Sequence, residues 1–479
     1  MIDKELLLPN GNKITFNDEQ HKGLLKISDW LYNKNNGFPS FTLAGYAGTG
    51  KSTIIKKIID QHRGSLVVSA PTHKAKKVVM RTTDCEGETL QALLGLRPDV
   101  DLDDFNPNSP KFNPIAKPKM KLYRTSIIDE ASMINEDLMK LIKSVAKINN
   151  TKILYVGDPA QIPPIGEKIS VVFLPEFNHS HNIHQLTKVE RQVFDNPLGL
   201  SYDTLRNNLH REDGGFERKS DINDRGEGII FFDGKRDFRK NILDKFSTQQ
   251  FKDNVDFMKI IAWRNDTVIQ ANETIRRNIL GDGVDILEIG DFIMGYRTIT
   301  NQIGINIIEN SADYKIVDKQ KRQMNEYDMW GYPVKIKEDY NGEFYYNEIF
   351  VIDHNDHDNL HQYADMHDYL KENAKGNKKL WKIYYKFRRN NVLMKTINTY
   401  RDGEKREFSE IIAKDIDYAY AITGHKSQGS TYQHVAVLED DIDVNTNIKE
   451  KNQIKYVALT RPVISATVLT SRLKKYKYF

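Results

Sequence analysis

Gly45-Tyr46-Ala47-Gly48-Thr49-Gly50-Lys51-Ser52 has the spacing G-x-x-x-x-G-K-S and lies between an apolar run, Phe41 to Ala44, and a helix-like run, Thr53 to Ile59. This is the pattern of a phosphate-binding P-loop. Its small residues let the backbone fold tightly, so that successive N–H groups and the start of the following helix converge on nucleotide phosphates. Gly45, Gly48, Thr49, Gly50 and Thr53 are the candidate cradle, Lys51 would face the β- and γ-phosphates, and Ser52 would ligate Mg²⁺. A glycine-rich turn that binds nothing is the plain alternative. The order strand, loop, Lys-Ser, helix speaks against it.

About 80 residues further on, Ser126-Ile127-Ile128-Asp129-Glu130-Ala131-Ser132 ends an apolar strand in two adjacent carboxylates. A nucleotide-binding α/β lobe places its catalytic acids at such a strand end. Asp129 is expected to hold Mg²⁺, largely through water, and Glu130 to orient and deprotonate the attacking water. An acidic pair alone is common on solvated turns; behind a P-loop it reads as catalytic. The next strand runs into Val156-Gly157-Asp158-Pro159-Ala160-Gln161-Ile162-Pro163-Pro164. There Gln161 can bond the γ-phosphate or the water. Upstream, Gln20 offers the donor and acceptor pair that matches an adenine edge.

These residues need a scaffold of parallel strands. Phe41 to Ala44, Ser65 to Ala70, Ser126 to Asp129 and Lys152 to Val156 alternate with amphipathic helices, which argues a first α/β lobe. A second α/β pattern starts at Met258 to Ala262, continues in a helix around Asp266 to Leu280, and resumes at Asp417 to Ala421, His434 to Leu438 and Ala466 to Thr470. Two insertions interrupt the lobes. In Cys85 to Lys121, Pro98, Pro107, Pro110, Pro114 and Pro118 deny a regular strand or helix. The stretch from about Gly290 to Ala413 has strand-like pieces at Glu348 to Ile352 and Leu380 to Phe387 and reads as a small β-rich module. Within it His354, His357 and His361 stand at i, i+3 and i+7 among aspartates. Without a zinc spacing that includes Cys, a solvated surface is expected there in place of a metal site.

The chain has 479 residues, 39% apolar and 28% charged, with 70 Lys plus Arg against 66 Asp plus Glu. That length calls for more than one compact lobe, and a net charge of +4 identifies no partner. Any nucleic-acid binding must come from a local groove. A single cysteine, Cys85, excludes an internal disulfide and fits a reducing compartment. No apolar run approaches a membrane span and the start has no secretory pattern, so the expectation is a cytoplasmic protein without membrane contact.

Thr423-Gly424-His425-Lys426-Ser427-Gln428-Gly429-Ser430-Thr431 adds hydroxyls, amides and short side chains suited to the phosphates of a nucleic-acid backbone. With Gln20, the P-loop, Ala70-Pro71-Thr72-His73-Lys74, D-E-A-S, G-D-P-A-Q-I-P-P, Leu186 to Gln192 and Tyr456-Val457-Ala458-Leu459-Thr460-Arg461, the chain resembles the superfamily 1 helicases of the 5′-to-3′ branch. Within that branch it is most similar to the Dda-type enzymes, with RecD-type helicases next. The motifs run in family order across nearly the whole chain. The forms D-E-A-S and G-D-P-A-Q-I-P-P set the polarity apart from the 3′-to-5′ branch.

The resemblance implies two RecA-like P-loop NTPase lobes, with 1–84 and 122–182 as the first and 183–289 and 414–479 as the second. It implies a pin-like insertion at 85–121, where Phe105 and Phe112 are wedge candidates with packing aromatics as the plainer reading, and an SH3-like module at 290–413. Arg191 and Arg461 are assigned to the γ-phosphate, and Gly429 to the nucleotide site. Thr72, His73, Lys74, Thr423, His425, Lys426, Gln428 and Ser430 are assigned to single-stranded DNA. The expected activity is ATP-dependent, Mg²⁺-dependent 5′-to-3′ movement on single-stranded DNA with duplex unwinding, in a phage-type replication, recombination or repair role. The chain would act as a monomer at single-strand/duplex junctions, with a single-stranded-DNA-binding protein as a further partner. An RNA-directed motor of the same superfamily, and a DNA-binding switch that displaces proteins without unwinding, are the alternatives.

Overall fold

The computed structural model of the chain describes residues 4–7, 13–32, 39–62, 64–96, 116–178, 182–190, 195–340, 343–398 and 411–472. The chain divides into two compact units. The first comprises Met1–Lys245, Asp256–Val268 and Ile422–Phe479, and the second Phe246–Val255 and Ile269–Ala421.

Besides a small antiparallel pair of Glu5–Leu7 and Lys13–Thr15, the first unit contains two large sheets. In the N-terminal one, helix α1 (Asp18–Tyr32) precedes β1 (Ser40–Gly45), α2 (Lys51–Gln61), β2 (Leu66–Ser69), α3 (His73–Thr83), β3 (Thr125–Ile128), α4 (Glu136–Asn149), β4 (Lys152–Gly157) and β5 (Ile183–Leu186). The strand order is β2-β3-β4-β1-β5, all parallel. Parallel strands need helical crossovers, which cover both faces, so successive strand residues are apolar on both sides. Phe41, Leu43, Ile127, Leu154 and Val156 pack with Ile54, Ile55, Ile58 and Ile59 of α2. The alternate positions Ala44, Ile128, Ile153 and Tyr155 pack with Leu138, Met139 and Ile142 of α4. The carboxyl ends of β1, β2, β3 and β4 thereby deliver the P-loop, Thr72, Asp129 and Asp158 to one edge.

After α5 (Leu198–Asn207) the second sheet is built from β6 (Asp221–Ile222), β7 (Gly228–Phe232), β8 (Met258–Ala262), β9 (Ala421–Thr423), β10 (Tyr432–Leu438) and β11 (Pro462–Leu469). Helix α6 (Lys235–Phe246) follows β7, α7 (Asn265–Leu280) follows β8, and α8 (Ile448–Leu459) joins β10 to β11. The order is β9-β8-β10-β11-β7-β6, with β8, β10, β11 and β7 mutually parallel and β6 antiparallel at the edge.

The second unit is an antiparallel sheet of Gln323–Met324, Trp330–Tyr340, Asp313–Lys319, Phe292–Gly295 and Ile416–Tyr418, with Glu343–Ile352 also paired to Trp330–Tyr340. Fully buried Asp415 is held by Arg297 and Arg388 at 2.6 and 2.7 Å. Two sequence expectations change here. The strand expected at Leu380 to Phe387 is a helix, Trp381–Asn390, because Tyr384, Phe387 and Arg388 are buried at i, i+3 and i+4. The strand expected at Asp417 to Ala421 is two, Ile416–Tyr418 in this sheet and Ala421–Thr423 in the sheet of the first unit.

His357 and His361 lie on the helix His357–Gly376. Neighbouring Asp353 and Asp356 bind Arg322 at 2.7 and 2.6 Å. Among the described residues no group of three or more His, Cys, Asp and Glu side chains is placed to hold a metal. Phe105, Phe112 and most of the proline-rich insertion lie outside the described residues, and no described helix is long and apolar enough to cross a membrane.

Candidate active site

Two glycines in the left-handed region shape the loop from β1 to α2, Gly48 at φ 76° and Gly50 at φ 82°. Gly50 is the N-cap of α2 and supplies no side-chain cap, so the N–H groups of the first turn keep the anion-binding character of a bare helix start. Lys51 Nζ donates to the carbonyls of Gly45 and Tyr46 at 2.7 and 3.0 Å, folding over the loop. Thr49 is fully buried and its Oγ1 donates to Tyr46 O at 2.8 Å. Ser52 is exposed and Thr53 half-buried in the first turn of α2.

A Cβ on Gly45 would stand 2.7 Å from Thr49 Oγ1, and one on Gly50 2.4 Å from Gln20 Nε2. Gln20 cannot easily withdraw. Its Nε2 donates to Thr49 O at 3.0 Å and its Oε1 accepts from Asn17 N at 3.0 Å. The amide expected at an adenine edge is therefore turned onto the P-loop. Gly50→Ala should raise KM for ATP by about 5- to 30-fold, since the left-handed conformation alone costs a residue with a side chain about 1–2 kcal/mol. Steady-state ATPase kinetics on the purified variant check this, and an unchanged KM would contradict the reading of the cradle.

Asp129 and Glu130 stand where β3 ends. The Asp129 N–H donates to Ser69 O at 2.9 Å, extending the ladder between β2 and β3, while its Oδ1 accepts the Glu130 N–H at 2.9 Å. Burial raises the Asp129 carboxyl above its ordinary value, and Lys51 pulls it down. Glu130 adopts φ 53°, a left-handed conformation that is costly outside glycine and concentrates at functional sites. Burial and the Asp129 charge push its carboxyl up to about 7, against the opposing pull of Arg461 and Lys51. A carboxyl poised there can exchange a proton near neutral pH. Gln161 Oε1 is buried and has no hydrogen-bond partner among the described residues. Its backbone is fixed, with N bonded to Asp158 O at 3.2 Å and O accepting from Gln453 Nε2 at 2.9 Å. The Ser52 hydroxyl and the Asp129 carboxylate are oxygen donors of the kind that suits Mg²⁺.

The second sheet adds the cation. Arg461 is buried, and its Nε, Nη1 and Nη2 donate to Val457 O, Ser430 O and Thr460 Oγ1 at 3.1, 3.1 and 3.0 Å. None of these acceptors is a carboxylate. Arg191 lies outside the described residues. The segment leading to it is pinned beside the P-loop: Glu19 accepts the Thr187 and Lys188 N–H groups at 2.8 and 2.9 Å, and Glu190 N donates to Gly48 O at 3.0 Å.

The loop Thr423–Thr431 reaches in two directions. Gly429, at φ 68°, packs so closely that a Cβ would lie 2.6 Å from Ala75 Cβ and 3.5 Å from Glu130 Cγ. Ser430 is buried beneath Arg461. On the other side Thr423, His425 and Gln428 line a cavity of about 330 Å³ with Ile162, Pro163, Trp263 and Asn265. Gln428 Nε2 donates to Ile162 O at 3.0 Å. Lys426 N donates to Thr423 Oγ1 at 3.3 Å, closing the turn.

Of the residues at the end of β2, Thr72 caps α3 by accepting the Ala75 N–H at 3.2 Å, and His73 is buried. Lys74 Nζ pairs with Asp256 Oδ1 at 3.2 Å and with Tyr432 OH at 3.3 Å. Its charge is thus engaged by residues next to β8 and β10.

Several residues at the site carry no sequence signal. Trp263 and Asn265 follow β8 in a stretch without a motif. Asp441 fixes them by accepting from Trp263 N, Arg264 N and Thr267 Oγ1 at 2.8, 3.0 and 2.6 Å. The guanidinium of Arg206 on α5 stacks 4.1 Å from the Tyr46 ring centre in the P-loop.

Two RecA-like sheets sharing a P-loop, an acidic pair and an arginine define a two-lobed P-loop motor. The AAA domain model matches residues 36–219, and the UvrD-like helicase C-terminal domain model matches 418–462. The ATP-dependent DNA helicase dda of Enterobacteria phage T4 is 24% identical, over 88% of this chain and 92% of its own. An uncharacterised protein of Acanthamoeba polyphaga mimivirus is 25% identical over 93% and 98%. The Pif1 helicase of Candida albicans shares the fold at a TM-score of 0.50 and 19% identity, with 95% of each chain covered. These matches support a superfamily 1 helicase of the 5′-to-3′ branch, with Dda among the relatives the chain is similar to.

Proposed function

We propose that the protein hydrolyses ATP between its two RecA-like lobes, moves 5′ to 3′ on single-stranded DNA and unwinds duplexes at single-strand/duplex junctions. The observation that carries this reading is the loop Thr423–Thr431, whose Gly429 is pressed against Ala75 beside the Glu130 side chain and whose Thr423, His425 and Gln428 line the cavity with Trp263. One short segment therefore joins the catalytic acid to the surface offered to a strand.

The roles follow from placement. The first-turn N–H groups of α2 and Lys51 bind the phosphates. Ser52 and Asp129 would hold Mg²⁺, which when bound neutralises charge between the phosphoryl groups. Glu130 takes the proton of the attacking water, Gln161 Oε1 accepts its second hydrogen, and Arg461 stabilises the charge that develops as the γ-phosphoryl leaves. Backbone and aromatic contacts in the cavity grip a strand with little regard to sequence, because every base has a face to stack on Trp263. One chain supplies both lobes, so a monomer suffices for a cycle.

A strand-displacement assay with forks carrying either a 5′ or a 3′ single-stranded overhang tests the proposal. Unwinding is expected from the 5′ overhang alone, with ATPase stimulated by oligo(dT), and Lys51→Ala should abolish both. Unwinding confined to the 3′ overhang would overturn the polarity. Stimulation by RNA but not by oligo(dT) would identify an RNA-directed motor, and DNA-stimulated ATPase without displacement from either fork a protein-displacing translocase.

A further inference from the structure

We infer that Tyr456 is a positioning residue whose hydroxyl seats the arginine-bearing helix α8 against the P-loop. The inference rests on the proposed role of Arg461. Tyr456 is fully buried, and its hydroxyl donates to Asp158 Oδ2 at 2.7 Å while accepting the Ala47 N–H at 3.1 Å. Ala47 belongs to the P-loop, and Asp158 closes β4. A buried tyrosine that merely fills a core satisfies its hydroxyl on whatever backbone lies nearby. This one bonds two segments that both border the γ-phosphate position, from a helix 298 residues beyond Asp158.

The neighbours reinforce the connection. Asp158 is itself fully buried, and its second oxygen accepts the Ala160 N–H at 2.8 Å, so the carboxylate depends on Tyr456 for its other strong donor. Burial and the Asp158 charge raise the hydroxyl well above its ordinary value and keep it a donor at any working pH. One turn earlier on α8, Gln453 Nε2 holds Gln161 O at 2.9 Å. One residue later, Val457 O accepts from Arg461 Nε at 3.1 Å. From behind, α5 places Tyr202 edge-on to the Tyr456 ring, with centroids 6.4 Å apart. A rigid turn of helix thus lies between the hydroxyl that touches the P-loop and the guanidinium that serves it.

The test is a double-mutant cycle with Tyr456→Phe, which keeps the ring, and Arg461→Ala, read as kcat and KM for ATP with saturating oligo(dT). Loss of a charge-assisted hydrogen bond and the resulting misplacement of Arg461 should lower kcat by about 10- to 100-fold. KM and binding of fluorescent ADP should change less than about threefold, a split that general loosening of the fold would not produce. In the Arg461→Ala background Tyr456→Phe should cost nothing more. Multiplying losses, or an unchanged kcat in the single variant, would overturn the inference. If Arg461→Ala alone leaves kcat intact, the proposed active site has failed and not merely the role of Tyr456. Should Tyr456→Phe not fold, Asp158→Asn removes the charged acceptor while keeping its shape, and the same non-additivity with Arg461→Ala is expected, with multiplying losses again overturning the inference.

Discussion

Glu130→Gln is expected to lower kcat for ATP hydrolysis by about 10² to 10⁴, the range for loss of a positioned general base, with KM for ATP little changed. The amide keeps the size of the side chain and its left-handed backbone, but it cannot take a proton from water. The acid limb of the wild-type pH profile supplies the second half of the test. With the Glu130 carboxyl at about 7, the basic form is a minority in mildly acid solution, so kcat should rise as pH passes through neutrality. The variant should lose that limb. Stability should move in the opposite sense. A carboxyl raised in the folded state favours folding below the ordinary carboxylate range, and that contribution disappears as pH rises through about 7. Glu130→Gln should therefore melt at or above the wild-type temperature at pH 8, which separates lost chemistry from lost structure. A variant retaining most of its kcat would remove Glu130 from the base role.

Arg461→Ala should cost about 10³ to 10⁵ in kcat, the range for arginines that meet transferring phosphoryl groups. The argument is electrostatic. A buried guanidinium is normally matched by a carboxylate, yet Arg461 is bonded to two carbonyls and a hydroxyl. Its charge is felt at Glu130 and is left to act on a phosphoryl group. Arg461→Lys keeps the charge but loses the planar fork that spans Val457 O, Ser430 O and Thr460 Oγ1, so it should recover only a small part of the rate. Single-turnover hydrolysis, with oligo(dT) binding measured in parallel, checks both variants. If both bind DNA normally and hydrolyse ATP at near the wild-type rate, Arg461 is structural.

The parts of the site that were legible in the sequence are those whose chemistry compels neighbouring residues to be of fixed type. The P-loop needs Gly48 and Gly50 for backbone reasons and Lys51 and Ser52 for charge and metal, all within eight positions. Asp129 and Glu130 are adjacent because one strand end serves both. What stayed hidden depends on contacts between distant segments. Nothing around Tyr456 announces that its hydroxyl meets Ala47, 409 residues away. Trp263 follows an ordinary buried strand, and only Asp441 makes it part of a cavity wall. Nor does the sequence show that Asn17 and Thr49 engage both ends of the Gln20 amide. The aromatic, branched composition of the helix Trp381–Asn390 favours strands locally, while burial of Tyr384, Phe387 and Arg388 on one side decides for a helix.

The loop Thr423–Thr431 also limits how much slack the motor can have. Gly429 lies so close to Ala75, with Glu130 beside it, that a methyl group has no room, and the Ser430 carbonyl is held by Arg461. A linkage packed so tightly has almost no mechanical backlash: a displacement at the Trp263 cavity reaches the catalytic acid before it can be absorbed as play. Idle turnover away from a strand should be slow for that reason, and lengthening this loop by one or two residues would loosen the gearing while leaving each end intact.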